Sequence, residues 1–182
     1  MHLEQIDSFK ESKDNDLFEE SIREPIGKIL KKNTRLAILA KPGGGKSTLL
    51  KRIAVAYSFQ ERLGMVDDNL PKENWIPIFI RCRELGEFVT RSITEIIENI
   101  PNRAEIGFCK KGFSSLVSDS LQNGKALLLI DGLDEISEDS HRLLFVSQLR
   151  TFLATYPNIH IITTSREAGF RVIGGVLVNY CS

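Results

Sequence analysis

The sequence predicts an α/β domain of three layers, with helices on both faces of a mainly parallel sheet, and three observations carry the prediction. Apolar runs at 36–40, 125–131 and 159–164 read as strands, each followed by glycines or polar side chains. The segments between them repeat apolar residues every three to four positions, the spacing of amphipathic helices. Every strand-to-strand crossover is long enough to hold such a helix, as parallel neighbours require.

Residues 1–16 are polar and charged, with Leu3, Ile6 and Phe9 at a spacing that permits one short docking helix; disorder is the other reading. The division expected is therefore 1–16 as a polar segment and 17–182 as one domain. From Asp16, a candidate N-cap, Leu17, Phe18, Ile22, Ile26, Ile29 and Leu30 outline a leading helix that Pro25 kinks or restarts. The first strand, 36–40, runs into a glycine loop. After it a helix beginning at Thr48 presents Leu50, Ile53, Ala54 and Tyr57 to the sheet. A turn-rich stretch with Gly64, Asp67, Asp68, Asn69 and Pro71 leads to a second strand, 75–81, which Pro77 assigns to a sheet edge. Ile93, Ile96, Ile97 and Ile100 form a helical stripe ended by Pro101, while 103–111 shows no periodicity. Phe113, Leu116, Val117 and Leu121 form another stripe, ended by Asn123-Gly124. The run at 125–131 does not alternate, as expected of a central strand buried on both faces. A helix carrying Leu143, Leu144, Val146, Leu149, Phe152 and Leu153 precedes the strand at 159–164, and Val176-Leu177-Val178 reads as a last strand.

At 182 residues the chain is the size of one ordinary domain, and 42% hydrophobic with 26% charged residues fits a globular protein. Lysine plus arginine and aspartate plus glutamate both number 24, so no basic field gathers nucleic acid or an anionic membrane. No apolar run approaches the roughly 20 residues of a membrane helix. With Glu4, Asp7, Glu11 and Asp14 the N-terminus does not read as a signal peptide, and a cytoplasmic location is expected. Cys82, Cys109 and Cys181 are odd in number and form no Cys-x-x-Cys pair, so reduced thiols are expected rather than disulfides or a zinc site.

The chemistry collects where the strands end, which is where open α/β sheets hold ligands. After the first strand comes Lys41-Pro42-Gly43-Gly44-Gly45-Lys46-Ser47-Thr48. Three glycines remove the Cβ atoms that would keep the backbone from closing round a polyphosphate, so successive N–H groups can face anionic oxygens. The following helix adds its unpaired N–H groups and dipole. Lys46 supplies charge for β- and γ-phosphates, and the Ser47 hydroxyl is a candidate ligand of the accompanying Mg²⁺. The pattern G-x-x-x-x-G-K-[ST] asks for glycine where Ala40 stands, one residue short of a full match. Asp131, at the end of the buried strand, suits Mg²⁺ held through its water shell. Asp134 and Glu135 lie just beyond, where one of the two can orient or deprotonate an attacking water. Arg166 follows a strand expected beside the first, within reach of a γ-phosphate as a sensor.

Lys-Pro-Gly-Gly-Gly-Lys-Ser-Thr-Leu-Leu at 41–50, Leu-Leu-Leu-Ile-Asp-Gly-Leu-Asp-Glu at 127–135 and Ile-Ile-Thr-Thr-Ser-Arg at 161–166 together resemble the NACHT family of STAND P-loop NTPases. The middle motif is the most specific, with a small residue after the first aspartate and a paired Asp-Glu three residues on. Ile78-Phe79-Ile80-Arg81-Cys82-Arg83-Glu84-Leu85 is similar to the family's second strand and its exit. The resemblance runs from 17 to about 175, with Ala40 its visible departure. It implies a P-loop NTPase fold with five strands in the order 5-1-4-3-2 and ATP or ADP with Mg²⁺ as cofactors. By it Lys41 to Thr48 surround the phosphates, Ser47 and Asp131 serve the metal, and Lys46, Asp134, Glu135 and Arg166 serve the chemistry. The activity implied is a nucleotide-dependent conformational switch in signalling or defence, with slow Mg²⁺-dependent ATP hydrolysis. A non-hydrolysing scaffold that self-associates or binds a partner protein is the alternative. ATP is favoured over GTP because no Asn-Lys-x-Asp sequence is present. Relatives of this kind continue into helical and winged-helix domains, so the chain ending at Ser182 reads either as a nucleotide-binding module of a larger switch or as a short protein of its own.

Overall fold

A computed structural model of the chain describes residues 24–65, 67–105 and 107–170. Within it four strands, β1 (Arg35–Leu39), β2 (Ile76–Arg81), β3 (Ala126–Asp131) and β4 (His160–Ser165), form one parallel sheet in the order β1-β4-β3-β2. That is the expected order for its first four members. The segment expected to supply a fifth strand, 176–178, lies outside the described residues, as do 1–16, the 17–23 part of the leading helix and Cys181.

The two faces of β3 show why the run at 126–131 is uniformly apolar. Leu127 and Leu129 pack into one core with Leu50, Ile53 and Tyr57 of α2 (Lys46–Ser58) and Ile26 and Leu30 of α1 (Ile26–Lys32). Leu128 and Ile130 pack into the opposite core with α3 (Ile93–Glu98), α5 (Lys110–Gln122) and α6 (Asp139–Thr155). All four side chains are fully buried, and each such burial stabilises the fold by about 1.5–3 kcal/mol. The carboxyl end of β3 is thus clamped from both sides. Arg81 of β2 lies in register with Asp131, and Leu39 of β1 with Ser165 of β4, so the strand ends finish together. Pro77 sits on an edge strand, where the N–H it lacks is not needed by a neighbour.

Several element details differ from the sequence reading. Helix α2 begins at Lys46 rather than Thr48, because Gly45 at φ 76° turns the chain directly into it; Lys46 and Ser47 are therefore first-turn residues. Pro101 does not terminate a helix. The stripe breaks after Glu98, and a short α4 (Ile100–Arg103) restarts with Pro101 in its first turn, where a missing N–H is harmless. In α6 the run Leu143-Leu144-Phe145-Val146 offers two faces, and the core takes Phe145 and Val146. Leu143 and Leu144 stay 45% and 41% exposed. Leu116 is likewise exposed, and Ser120 takes the inward position in α5 with its hydroxyl bonded to the Val117 carbonyl. No helix among the described residues is long and apolar enough to cross a membrane.

Helix α1 begins after Pro25 and docks on the loop before β2 through Gly27, whose N–H donates to the Asp68 carbonyl at 2.8 Å. A Cβ at Gly27 would stand 1.9 Å from the Asn69 carbonyl oxygen. Asp68 is itself buried and paired with Arg52 of α2 at 3.1 Å, so this loop cannot easily retreat. Gly27→Ala is expected to lower stability by about 1–3 kcal/mol, the range for forced overpacking. A urea-unfolding midpoint equal to that of the unsubstituted chain would show that the loop yields instead.

Candidate functional site

The glycine loop leaves β1 at Ala40 and closes on itself through Gly44 N–H donating to the Lys41 carbonyl at 3.0 Å. Gly43 and Gly45 hold φ values of 75° and 76°, and nothing stands within 4 Å of a Cβ built on either. Left-handed backbone, not crowding, therefore demands glycine there, and it bends the loop round one concavity. At Gly44 crowding decides: a Cβ would lie 2.9 Å from the Ala40 methyl and 3.0 Å from the Lys41 carbonyl oxygen. The departure at Ala40 is thus accommodated because Gly44 leaves room for the methyl. Lys46 spans the loop, its ammonium donating to the carbonyls of Ala40 at 2.7 Å and Lys41 at 3.2 Å. The first N–H groups of α2, a helix of 13 residues, open on the same concavity.

Opposite the loop stands Asp131, 6% exposed at the end of β3. Its Oδ1 accepts from the Ser47 hydroxyl at 3.0 Å and from the Thr164 hydroxyl at 2.9 Å. The first of these contacts joins residues 84 positions apart, one on the helix after β1 and one on β3. Beyond Asp131, Gly132 adopts φ 75° and a tight turn, Leu133–Glu135, carries the next two carboxylates. They are placed differently. Asp134 is nearly buried, with Oδ1 accepting from the Arg166 backbone N–H at 2.9 Å and Oδ2 from Arg166 Nε at 3.0 Å. Glu135 is exposed and folds back over Gly132, where a Cβ would meet its Oε2 at 2.6 Å. Arg142 secures the far end of the turn, donating to the Ile136 carbonyl and to Asp139, both at 2.7 Å.

These groups line one cleft of about 300 Å³, formed by loop residues 42–48 with Asp131, Gly132, Asp134, Glu135 and Arg166. It brings together every site residue read from the sequence except Lys41, whose carbonyl accepts from Lys46 but which does not line the cleft. A larger cavity of about 510 Å³ opens by the free edge of β2, between α2 and α4, but contains none of the loop glycines or strand-end carboxylates. Size alone does not mark the polar site. Cys82, buried at the exit of β2, has its thiol pushed up by burial and by the charges of Asp131, Glu135 and Asp134, which keeps it protonated and unreactive.

The residues fit a nucleotide polyphosphate with its divalent cation. The concavity is walled by the loop backbone, crossed by an ammonium and free of side chains at Gly43 and Gly45. The cation side offers one hydroxyl and one carboxylate, in keeping with Mg²⁺, which takes few protein ligands and completes its shell with phosphate oxygens and water. Among the described residues no group of three or more His, Cys, Asp or Glu forms a protein-only metal cage. Sequence reasoning counted Thr164 among the strand-end polar groups suited to a nucleotide triphosphate without a task of its own, and gave no role to Arg142 or Gly169, the last packed so closely on Asp134 that a Cβ would lie 2.5 Å from the aspartate's own. The polar Thr-Thr-Ser ending of an otherwise apolar strand was the one available signal for Thr164.

A family model described as the NACHT domain matches residues 34–180. No curated protein and no solved structure matches the chain.

Proposed function

Since this chain belongs to the NACHT family of P-loop NTPases, it is a nucleotide-binding module, and we propose that it works as an ATP-dependent conformational switch with slow Mg²⁺-dependent hydrolysis. The observation that supports the reading best is the 3.0 Å contact between Ser47 and Asp131 across the mouth of the glycine loop. It puts the hydroxyl and carboxylate expected to share one cation side by side, next to the N–H groups expected to hold phosphate. On this reading the proposed domain runs from 17 to 182, with 1–16 as a separate polar segment. Cytoplasmic placement and a role in signalling or defence belong to the same proposal.

In the proposed mechanism the N–H groups of Gly43 and of 45–48, with the α2 dipole, bind the phosphate chain, while Gly44 N–H stays on the Lys41 carbonyl and keeps the loop closed. Lys46 exchanges its two neutral carbonyl partners for anionic β- and γ-oxygens, so that donor and acceptor are both ionised where only the donor was before. Ser47 directly, and Asp131 through water, would hold Mg²⁺, which supplies neutralisation of charge on the β- and γ-phosphates. The two carboxylates of the turn divide the remaining work. Both oxygens of Asp134 are committed to Arg166, so Asp134 serves as the orienting partner of the guanidinium, which we assign to the γ-phosphate. Glu135 has no such commitment and is exposed at the cleft, and we assign it the attacking water.

Phosphate release from ATP tests this account. The unsubstituted chain is expected to release phosphate well below the roughly 1–100 s⁻¹ typical of kinases, and to stop when Mg²⁺ is chelated. Asp131→Ala should reduce release to background even with Mg²⁺ present. ATP binding with no release at all would replace the switch by the non-hydrolysing scaffold. Release that survives both chelation and Asp131→Ala would contradict the assignment of the cation side.

A further inference from the structure

We propose that Thr164 is a positioning residue that sets, through one hydroxyl, both the metal-side carboxylate and the turn that carries Asp134 and Glu135. The inference rests on the nucleotide-site reading and deepens it. Thr164 is fully buried near the end of β4. Its Oγ1 lies 2.9 Å from Asp131 Oδ1 and 2.9 Å from the Gly132 backbone nitrogen.

The direction of both hydrogen bonds follows from the groups themselves. A backbone N–H can only donate, so Gly132 occupies a lone pair of the hydroxyl, and the single hydroxyl proton is left for the carboxylate. With the Ser47 hydroxyl also donating to Oδ1, that oxygen carries two donors. Oδ2 is the oxygen through which Asp131 would hold Mg²⁺ by way of water. The same hydroxyl holds Gly132 N–H where the chain enters its left-handed conformation at φ 75°, from which the turn Leu133–Glu135 departs. Two residues on, Arg166 grips Asp134. The end of β4 therefore fixes the carboxylates after β3 at two points. A β-branched side chain suits this task because its χ1 is restricted in a strand.

The test is Thr164→Val, which keeps shape and branching and removes only the hydroxyl. Nucleotide affinity is measured by calorimetry with ATP in Mg²⁺ and with ATP in EDTA, and the ratio of the two is compared with that of the unsubstituted chain. Thr164→Val is expected to leave affinity in EDTA unchanged and to shrink the gain given by Mg²⁺ about tenfold, which is about 1.4 kcal/mol. Thr164→Ser, which restores the hydroxyl, should recover most of that gain. A merely structural role would lower thermal stability and leave the ratio alone. If Thr164→Val does not fold, Thr164→Ala, with less bulk to misplace, gives the same comparison against Thr164→Ser. An unchanged ratio, or failure of serine to restore it, overturns the proposal. Failure of the underlying site reading is distinguishable, because then Lys46→Ala too would leave nucleotide affinity untouched.

Discussion

Glu135→Gln is expected to preserve ATP binding and to cut single-turnover phosphate release about a hundredfold or more, within the roughly 10²–10⁴ that a positioned general base contributes. The substitution is nearly isosteric and removes only the ability to take a proton. Glu135 is exposed at the cleft and lies against Gly132, so glutamine finds the same space and loses no buried partner. Asp134→Asn should behave differently. Its remaining carbonyl oxygen can still accept from the Arg166 N–H, but the charge that holds Arg166 Nε at 3.0 Å is gone. The expected result is a smaller loss of release together with weaker discrimination of ATP over ADP, since Arg166, the proposed γ-phosphate sensor, is no longer held in place. Rapid-quench measurement of phosphate release in both variants separates the two roles. A deeper fall in Asp134→Asn than in Glu135→Gln would reverse the assignment.

Much of the fold was legible in the sequence for a simple reason. A strand buried on both faces needs no polar residue until it ends, so 126–130 and 160–164 announce their own carboxyl ends, and in a parallel sheet those ends share one side. The glycine loop was legible because Gly43 and Gly45 must be left-handed, a demand that few other residues meet. What the sequence hid depends on facts that only three dimensions supply. The link of Thr164 to Asp131 follows from the register of β3 against β4, which no local pattern encodes. The pairing of Arg166 with Asp134 crosses 32 positions and separates two adjacent acids that look equivalent when read along the chain. Leu143 and Leu144 looked inward because a run of four apolar residues has no preferred face; the shape of the core chose Phe145 and Val146. The tolerance for Ala40 depended on the empty space at Gly44, four residues away.

Lys46→Ala carries the largest expected effect on binding. The ammonium is held within the loop by two carbonyl oxygens, Ala40 at 2.7 Å and Lys41 at 3.2 Å, so it already stands where a polyphosphate would enter. Removing it deletes the ammonium that spans the loop and leaves phosphate charge to the backbone N–H groups and Arg166. A hydrogen bond to a charged group contributes about 1.5–3 kcal/mol, which corresponds to about a ten- to hundredfold weaker affinity. Alanine is a strong helix former, and Lys46 opens the exposed first turn of α2, so the fold should be unaffected and thermal stability unchanged. The direct measurement is a calorimetric titration of ATP with Mg²⁺ into the unsubstituted chain and into Lys46→Ala. The account predicts saturable one-to-one binding in the first and at least a tenfold loss in the second; equal affinities in two equally folded proteins would contradict it.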